Sequence, residues 1–273
     1  MSRRAVVALN AATGEMKWMY SLDEGERATR WAPRQLSGRG LSYWTDGKGD
    51  DRILYVTTGY RLVELNAKTG QPIAGFGTNG VLDLKVGVVI GKDKQLDLEK
   101  GEIGLHSTPT VVNDTVIIGS SMFEGLGYRY STNAKGLVRA FDIKTGKQIW
   151  RVPHEYPQET LRVVCCGIVN RGAAIYEGKI IRALMDNHII ALDAKTGKEV
   201  WKTKSPDPTS VENGYAMTGA PLIANGVVVV GVAGAEYSHR GFLEGYDPGT
   251  GKHLWRTYNI PGKGEKGSDT WKA

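Results

Sequence analysis

Two adjacent cysteines, Cys165 and Cys166, are the only cysteines among 273 residues. Asn170-Arg171-Gly172 follows within a few positions, and Ala233-Gly234-Ala235-Glu236 lies further along. A disulfide between chain neighbours closes across Cα atoms that a trans peptide holds about 3.8 Å apart, so it needs a twisted or cis peptide. The other arrangement is two reduced thiols buried side by side, which suits a residue type found mostly in cores. Both arrangements stay open on the residues alone. A zinc-type centre is excluded, because two adjacent thiolates with no second Cys/His cluster cannot complete a tetrahedron.

Arg171 offers a planar fork of N–H donors to an oxygen-rich ligand, or, like Arg39, an ion pair between neighbouring sheets. Glu236 is either a ligand for a hard cation or a solvated loop carboxylate. His106 and His239 have no partner at ligand spacing and read as structural.

The elements that must position these residues form an array. Val7-Ala8-Leu9-Asn10-Ala11-Ala12-Thr13-Gly14, with Trp18 after it, returns as Asn66…Gly70, Asp142…Gly146 with Trp150, Asp193…Gly197 with Trp201, and Asp247…Gly251 with Trp255. In the second copy Phe76 stands in the tryptophan's place, displaced by an insertion. A period near fifty residues marks a repeat architecture. In each copy an alternating strand runs into a turn where Asn or Asp bonds the backbone ahead and glycine supplies a positive φ. The recurring tryptophan reads as packing between neighbouring sheets rather than as a ligand contact. Asn225-Gly226 predicts a tight hairpin, and the apolar runs flanking it predict an inner strand covered on both faces. The fold class expected is therefore all-β: a β-propeller of four-stranded blades with tryptophan docking, about five blades in this chain.

Thirty-six glycines fit many short strands joined by tight turns. The net charge of +6 comes from dispersed lysines and arginines mixed with acids, which argues against nucleic acid as a partner. No run of eighteen apolar residues exists for a membrane-spanning helix. The first ten residues start basic but carry no apolar core or cleavage site of an export signal, and the chain reads as starting inside a repeat.

A second level of repetition relates the halves. Ser37-Gly38-Arg39-Gly40 corresponds to Val169-Asn170-Arg171-Gly172, Thr108-Pro109 to Ala220-Pro221, and Gly136…Asp142 to Gly241…Asp247. Two divergent versions of one segment in tandem explain this, as does the likeness that all blades of a propeller share.

On these residues the chain resembles the pyrroloquinoline-quinone-dependent alcohol dehydrogenases, or quinoproteins. From about residue 136 to 273 it is similar to their methanol and ethanol dehydrogenase branch, through Cys165-Cys166, Val169…Gly172, Met217-Thr218-Gly219-Ala220-Pro221, Gly234-Ala235-Glu236 and Arg240-Gly241. From about residue 34 to 150 it is similar to the glucose-dehydrogenase-like branch, through Ser37…Gly40, Phe76…Leu84 and Gly104-Leu105-His106-Ser107-Thr108-Pro109. The expected organisation is one partial propeller, its 1–150 part glucose-dehydrogenase-like and its 151–273 part methanol/ethanol-dehydrogenase-like.

The resemblance implies that Cys165 and Cys166 form a vicinal disulfide against one face of the quinone. It implies that Arg171 donates to a quinone oxygen or carboxylate, that Thr218 bonds a cofactor carboxylate, and that Gly234 and Ala235 line the cofactor. Glu236 would ligate a calcium or lanthanide ion that acts as a Lewis acid. Ala233 departs from the family, where serine is common. The tryptophan on the other cofactor face, the asparagine metal ligand and the aspartate base belong to later blades of the eight-bladed family fold, so no catalytic base is assigned in this chain. The implied substrate is a primary alcohol or sugar, the electron acceptor a cytochrome c or quinone, and the compartment the periplasm. Two other readings are a non-catalytic propeller scaffold of the outer-membrane-assembly type and a homo-oligomer of partial rings.

Overall fold

Every repeat turn closes on its own acidic or amide side chain. Asp193 Oδ1 accepts from the N–H groups of Lys195 (3.1 Å) and Thr196 (2.8 Å) and from the Thr196 hydroxyl (2.7 Å). Asp142 and Asp247 repeat this set, and Asn10 and Asn66 accept the two backbone bonds alone. The glycine four residues on takes φ between 70° and 75° in all five, a region that penalises a Cβ. In the four-stranded sheets these turns follow the third strand, and the Asn10–Gly14 turn joins the two strands of the first hairpin.

The computed structural model describes residues 5–33, 40–91, 93–105, 107–122, 136–154, 156–157, 160, 170–206, 213–234 and 239–270. The chain divides into two units, Met1–Glu155 and Tyr156–Ala273. The first unit holds a hairpin of Val6–Leu9 with Met16–Tyr20 and two four-stranded sheets. The second sheet runs Ser42–Thr45, Asp51–Val56, Arg61–Asn66, Val81–Asp83, and the third Thr110–Val112, Thr115–Ile118, Gly136–Asp142, Gln148–His154. The second unit holds a fourth sheet, Ala174–Tyr176, Lys179–Ala183, His188–Asp193, Glu199–Lys204. Its fifth sheet is Leu222–Ala224, Val227–Gly231, Phe242–Tyr246, His253–Tyr258. In each four-stranded sheet the strands lie in chain order and pair antiparallel, the meander of a propeller blade, and in the third a short strand, Ser121–Met122, is set aside to pair with Ile103–Gly104. No helix among the described residues is long and apolar enough to cross a membrane.

Within each unit the cores lie between consecutive sheets. Trp18 and Tyr20 pack with Val6 on Val63 and Leu65, and Trp201 packs with Ile181 and Ile189 on Met217, Val228, Val230 and Tyr246. The tryptophan keys are specific. Trp18 Nε1 donates to the Ala67 carbonyl (3.0 Å) and Trp201 Nε1 to the Pro248 carbonyl (3.1 Å), each the residue after the Asn or Asp of the next turn. Their rings lie against Gly70 and Gly251, where a Cβ would come within 2.5 Å. Phe76 does the same work against Gly146, helped by the Gly77 N–H donating to Thr145 O (3.2 Å). The sheet slips register opposite each tryptophan, at Ala8/Leu9, Ala140/Phe141, Ala191/Leu192 and Gly245/Tyr246.

Two expectations are corrected. Trp255 is 38% exposed, so the fifth tryptophan does not pack between sheets as Trp201 does. The hairpin at Asn225-Gly226 forms as expected, with both residues at positive φ. Its strand Val227–Gly231, however, is buried only on the alternate residues Val228 and Val230, and Leu222 beside it is 63% exposed. The apolar run is long because its second face is apolar as well, not because both faces are covered.

Candidate functional site

Three loop segments at the ends of strands in the second unit converge. The Arg171 N–H donates to Thr218 O at 3.0 Å, and the Ala233 N–H donates to Ala216 O at 2.8 Å, which leaves Gly234 next to the 215–218 segment. The side chains repeat the first junction: Arg171 Nη1 donates to Thr218 Oγ1 at 2.6 Å. Asn170 fastens the start of this loop, with Nδ2 on Ala183 O (2.8 Å) and Oδ1 accepting the Gly172 N–H (3.0 Å). Arg171 is exposed and Thr218 half-buried. The remaining N–H groups of the guanidinium have no acceptor among the described residues. Thr218, accepting from Arg171, keeps its hydroxyl hydrogen to donate. The pair therefore presents several convergent donors to an anionic or carbonyl-rich ligand.

Gly234 sits in a corner that only glycine fits. Its φ is +112°, and a Cβ there would lie 2.9 Å from His239 Cδ2 and 3.2 Å from Gly214 O. Gly214 (φ +79°) is equally tight against His239, and the His239 ring stacks on Tyr215 at 4.5 Å and 21°. His239 is thus a wedge between two glycine segments, the structural part expected of it. Below, buried Asn187 holds the Tyr215 carbonyl through Nδ2 (2.8 Å), while its Oδ1 finds no partner among the described residues. Tyr215, Gly214 and Asn187 were missed by motif reading. The Met217…Pro221 motif begins just after Tyr215, and Asn187 (φ 62°) sits in a turn position where asparagine is a recognisable signal.

Of the expected site residues, Arg171 and Thr218 are brought into contact and Gly234 adjoins their segment. Cys165, Cys166, Ala235 and Glu236 lie outside the described residues, as do Arg39 and His106. Among the described residues no group of three His, Cys, Asp or Glu side chains is placed to hold a metal. The first unit carries a partial counterpart. Gly40 (φ +119°) packs against Thr108, and the Ser42 hydroxyl donates to Pro109 O, much as the 170–172 loop meets the 218 segment.

The first unit also buries charge. Arg27, 1% exposed, grips Asp83 with both Nη1 (2.7 Å) and Nη2 (2.5 Å). Lys85, equally buried, donates Nζ to Glu99 O at 3.0 Å, and burial together with the Arg27 charge pushes it down to about 8.

Residues 1–164 match the family model described as "Glucose/ethanol/alcohol dehydrogenase, beta-propeller domain". Residues 134–269 match the model described as "Outer membrane protein assembly factor BamB". The quinohemoprotein alcohol dehydrogenase ADH IIB of Pseudomonas putida is 42% identical over 159 residues, 58% of this chain and 21% of that protein. The dehydrogenase subunit of the alcohol dehydrogenase (quinone) of Komagataeibacter europaeus is 31% identical over 246 residues, 89% of this chain and 29% of that one. Among solved structures, the quinohemoprotein alcohol dehydrogenase from Comamonas testosteroni superposes with a TM-score of 0.50 at 35% identity, covering 59% of this chain and 22% of that one. The chain thus spans between a fifth and a third of the length of these relatives.

Proposed function

We propose that this chain, which belongs to the glucose/ethanol/alcohol dehydrogenase β-propeller family, carries part of a binding site for pyrroloquinoline quinone and its metal ion. The observation that supports this reading is the Arg171–Thr218 pair beside the Gly234 corner: a charged fork, a free hydroxyl hydrogen and an uncluttered backbone. That donor set fits a planar quinone bearing several carboxylates. Arg171 and Thr218 would bind and orient the ring substituents, and Gly234 with Ala235 would leave room for it. Cys165 and Cys166 would cover one face, and Glu236 would be the first ligand of a calcium or lanthanide ion. Held by these residues, the quinone would supply a hydride acceptor for an alcohol. The whole enzyme's reaction would be oxidation of a primary alcohol or sugar, with electrons passing to a cytochrome c or a quinone.

No base for the hydroxyl proton is assigned among these residues, so the reading extends to binding alone. A Cys165–Cys166 disulfide would suit an oxidising, periplasmic compartment. The 1–150 part would descend from a glucose-dehydrogenase-like relative and the 151–273 part from a methanol/ethanol-dehydrogenase-like one. A second reading, a non-catalytic scaffold for protein assembly, draws support from the match over residues 134–269.

Titration of the oxidised chain with pyrroloquinoline quinone and calcium, followed by intrinsic fluorescence, separates the two. Saturable binding that needs the metal, and that Arg171→Ala and Glu236→Ala each weaken at least tenfold without unfolding the chain, is the expected result. A folded chain that binds no quinone rejects the cofactor site and leaves the scaffold reading.

A further inference from the structure

Three cations of the first unit converge at one end of the second sheet. The Arg27 side chain is 0% exposed; its Nε donates to Gly59 O at 2.7 Å and its two outer nitrogens to Asp83. Arg61 is held at one end only. Its Nη1 donates to Glu24 at 2.8 Å, while Nε and Nη2 have no hydrogen-bond acceptor among the described residues. Glu24 is itself saturated, since it also accepts from the Thr57 hydroxyl (2.8 Å) and the Gly59 N–H (3.0 Å). Lys85 has no carboxylate hydrogen-bonded to it among the described residues, and its Nζ rests on the Glu99 carbonyl.

Glu99 faces all three. Its backbone is pinned on both sides, the N–H on Asp97 Oδ1 (2.9 Å) and the carbonyl under the Lys85 ammonium (3.0 Å). Its carboxylate is loose. Oε1 stands 3.9 Å from Arg27 Nη1 and 3.9 Å from Arg61 Nη2, beyond hydrogen-bond reach of either, and the side chain is 66% exposed. Contacts of that length contribute little and fix no geometry. Rotation of the Glu99 side chain alone therefore opens the gap, with every backbone bond of its loop kept. The two guanidinium nitrogens lie no further apart than twice their distance to Oε1. Two oxygens of one small oxyanion span such a gap with a charge-assisted hydrogen bond at each end.

The charges leave room for an anion. Asp83 is taken by Arg27 and Glu24 by Arg61, so with Glu99 turned aside Lys85 remains as an unmatched positive charge. Burial and the Arg27 charge already push it down to about 8, as befits an ammonium with too little negative charge around it. The connectors that bear these groups leave the second and fourth strands, the same end of a sheet that carries Gly234 and Thr218 in the second unit.

The geometry points to a small-oxyanion site here: a carboxylate or phosphate group bound between Arg27 Nη1 and Arg61 Nη2, with Lys85 beside it and Glu99 as the side chain it displaces. The site shares no residue with the Arg171–Thr218 pair and is independent of whether the quinone binds.

The test is calorimetric titration of the full chain with phosphate and, separately, with malonate, at constant ionic strength set by chloride. Saturation with a Kd on the order of a millimolar is expected. Either anion establishes the site, and the tighter one tells whether phosphoryl or carboxylate groups are its ligands. Glu99→Gln, an exposed change that removes the competing charge, should tighten binding at least about fivefold. Arg61→Met should weaken it at least about tenfold, with the urea midpoint as the check on folding. If that variant unfolds because Glu24 has lost its arginine, the Glu99→Gln gain decides alone. Lys100→Gln removes a charge from the next residue and should leave the affinity within about twofold, which separates a site from a generally positive surface. At pH 8.5 binding should take up part of a proton, read from heats in two buffers of different ionisation enthalpy, because an anion beside partly ionised Lys85 favours its charged form. Absence of saturation, an affinity no better than that of chloride, or an affinity that Glu99→Gln leaves unchanged overturns the proposal. Binding without proton uptake does so too, since it puts the anion away from Lys85.

Discussion

Two buried glutamates, one in each unit, sit on third strands and are met by an arginine of a neighbouring strand, yet their surroundings differ in kind. Glu244, 0% exposed, has both oxygens occupied. Oε1 takes Arg256 Nε (2.8 Å) and Nη2 (2.6 Å), and Oε2 takes the Ser205 hydroxyl (2.8 Å) and the Tyr246 hydroxyl (2.7 Å). Glu64, also 0% exposed, has Arg52 Nη1 on Oε2 (3.0 Å) and no partner among the described residues for Oε1. Arg52 is meanwhile shared with Asp50 (2.6 and 2.9 Å) and the Ile143 carbonyl (3.1 Å). Burial accordingly pushes Glu64 up to about 7 against the pull of Arg52, with Asp50 and Asp142 adding to the rise. A buried carboxylate takes a proton more readily where one of its oxygens is left without a donor.

The difference has a cause in the repeat. In the tryptophan-bearing sheets the residue two before the turn Asn or Asp, opposite the tryptophan, is small: Ala8, Ala140, Ala191 and Gly245 pair with Trp18, Trp150, Trp201 and Trp255. The second sheet has no tryptophan there, its key being Phe76, and Glu64 stands where the other sheets have the small residue. Glu244 stands one position away from that place and faces the preceding sheet through Ser205.

The largest test of the contrast is Glu244→Ala. It leaves Arg256 without its carboxylate and strips the partner from Tyr246, so it should cost about 3–5 kcal/mol in urea unfolding of the second unit. A loss below about 1 kcal/mol would place Glu244 on the same footing as Glu64 and dissolve the comparison.

Next comes pH. Glu64 carries its proton more tightly folded, at about 7, than unfolded, near 4.5. Its contribution to stability is therefore complete below about 4.5 and is lost as pH rises through about 7, a span worth at most about 3 kcal/mol. Lys85 acts in the opposite sense and higher, since its folded value near 8 against 10.5 returns stability only above pH 8. Glu64→Gln keeps the shape and removes the titration. The parent minus variant difference in urea midpoint should fall between pH 5 and 7.5, with the amide variant the more stable at the upper end. A flat difference would mean that Glu64 is ionised throughout.

Much of the frame was legible because one side chain per turn and one per junction carry it. Asp193 and Gly197 specify their turn by local bonds, and Trp201 specifies its junction by size, so a reader of the sequence needs no long-range knowledge to place them. The second half of each junction was not legible. That Thr203 bonds Gly251 O, or that Trp201 finds Pro248 O, depends on what stands opposite, and strand sequences do not carry that. The site divides the same way. Arg171 and Thr218 lie 47 residues apart and were joined only through resemblance to a family, and the structure brings them to 2.6 Å. The His239 wedge escaped because its meaning lies in Gly214 and Gly234, two positions whose need for glycine appears only once the ring is between them. Glu64 and Glu244 look alike as acids in apolar strands, and nothing in either strand tells that Ser205 and Tyr246 complete one of them.

Tyr246→Phe isolates that last distinction with the smallest change. The ring stays, with its place in the core beside Trp201 and Val228, and one of the two donors to Glu244 Oε2 goes. A hydrogen bond to a buried charge is worth about 1.5–3 kcal/mol, and here the Ser205 donor and both Arg256 bonds remain, so the loss should sit near the lower figure. The tyrosine itself is held protonated by burial and by the Glu244 charge, so it donates across the ordinary pH range and the loss should stay constant between pH 6 and 8. A loss near zero would mean that Ser205 and Arg256 satisfy the carboxylate without the tyrosine, and that the number of donors is not what separates Glu244 from Glu64.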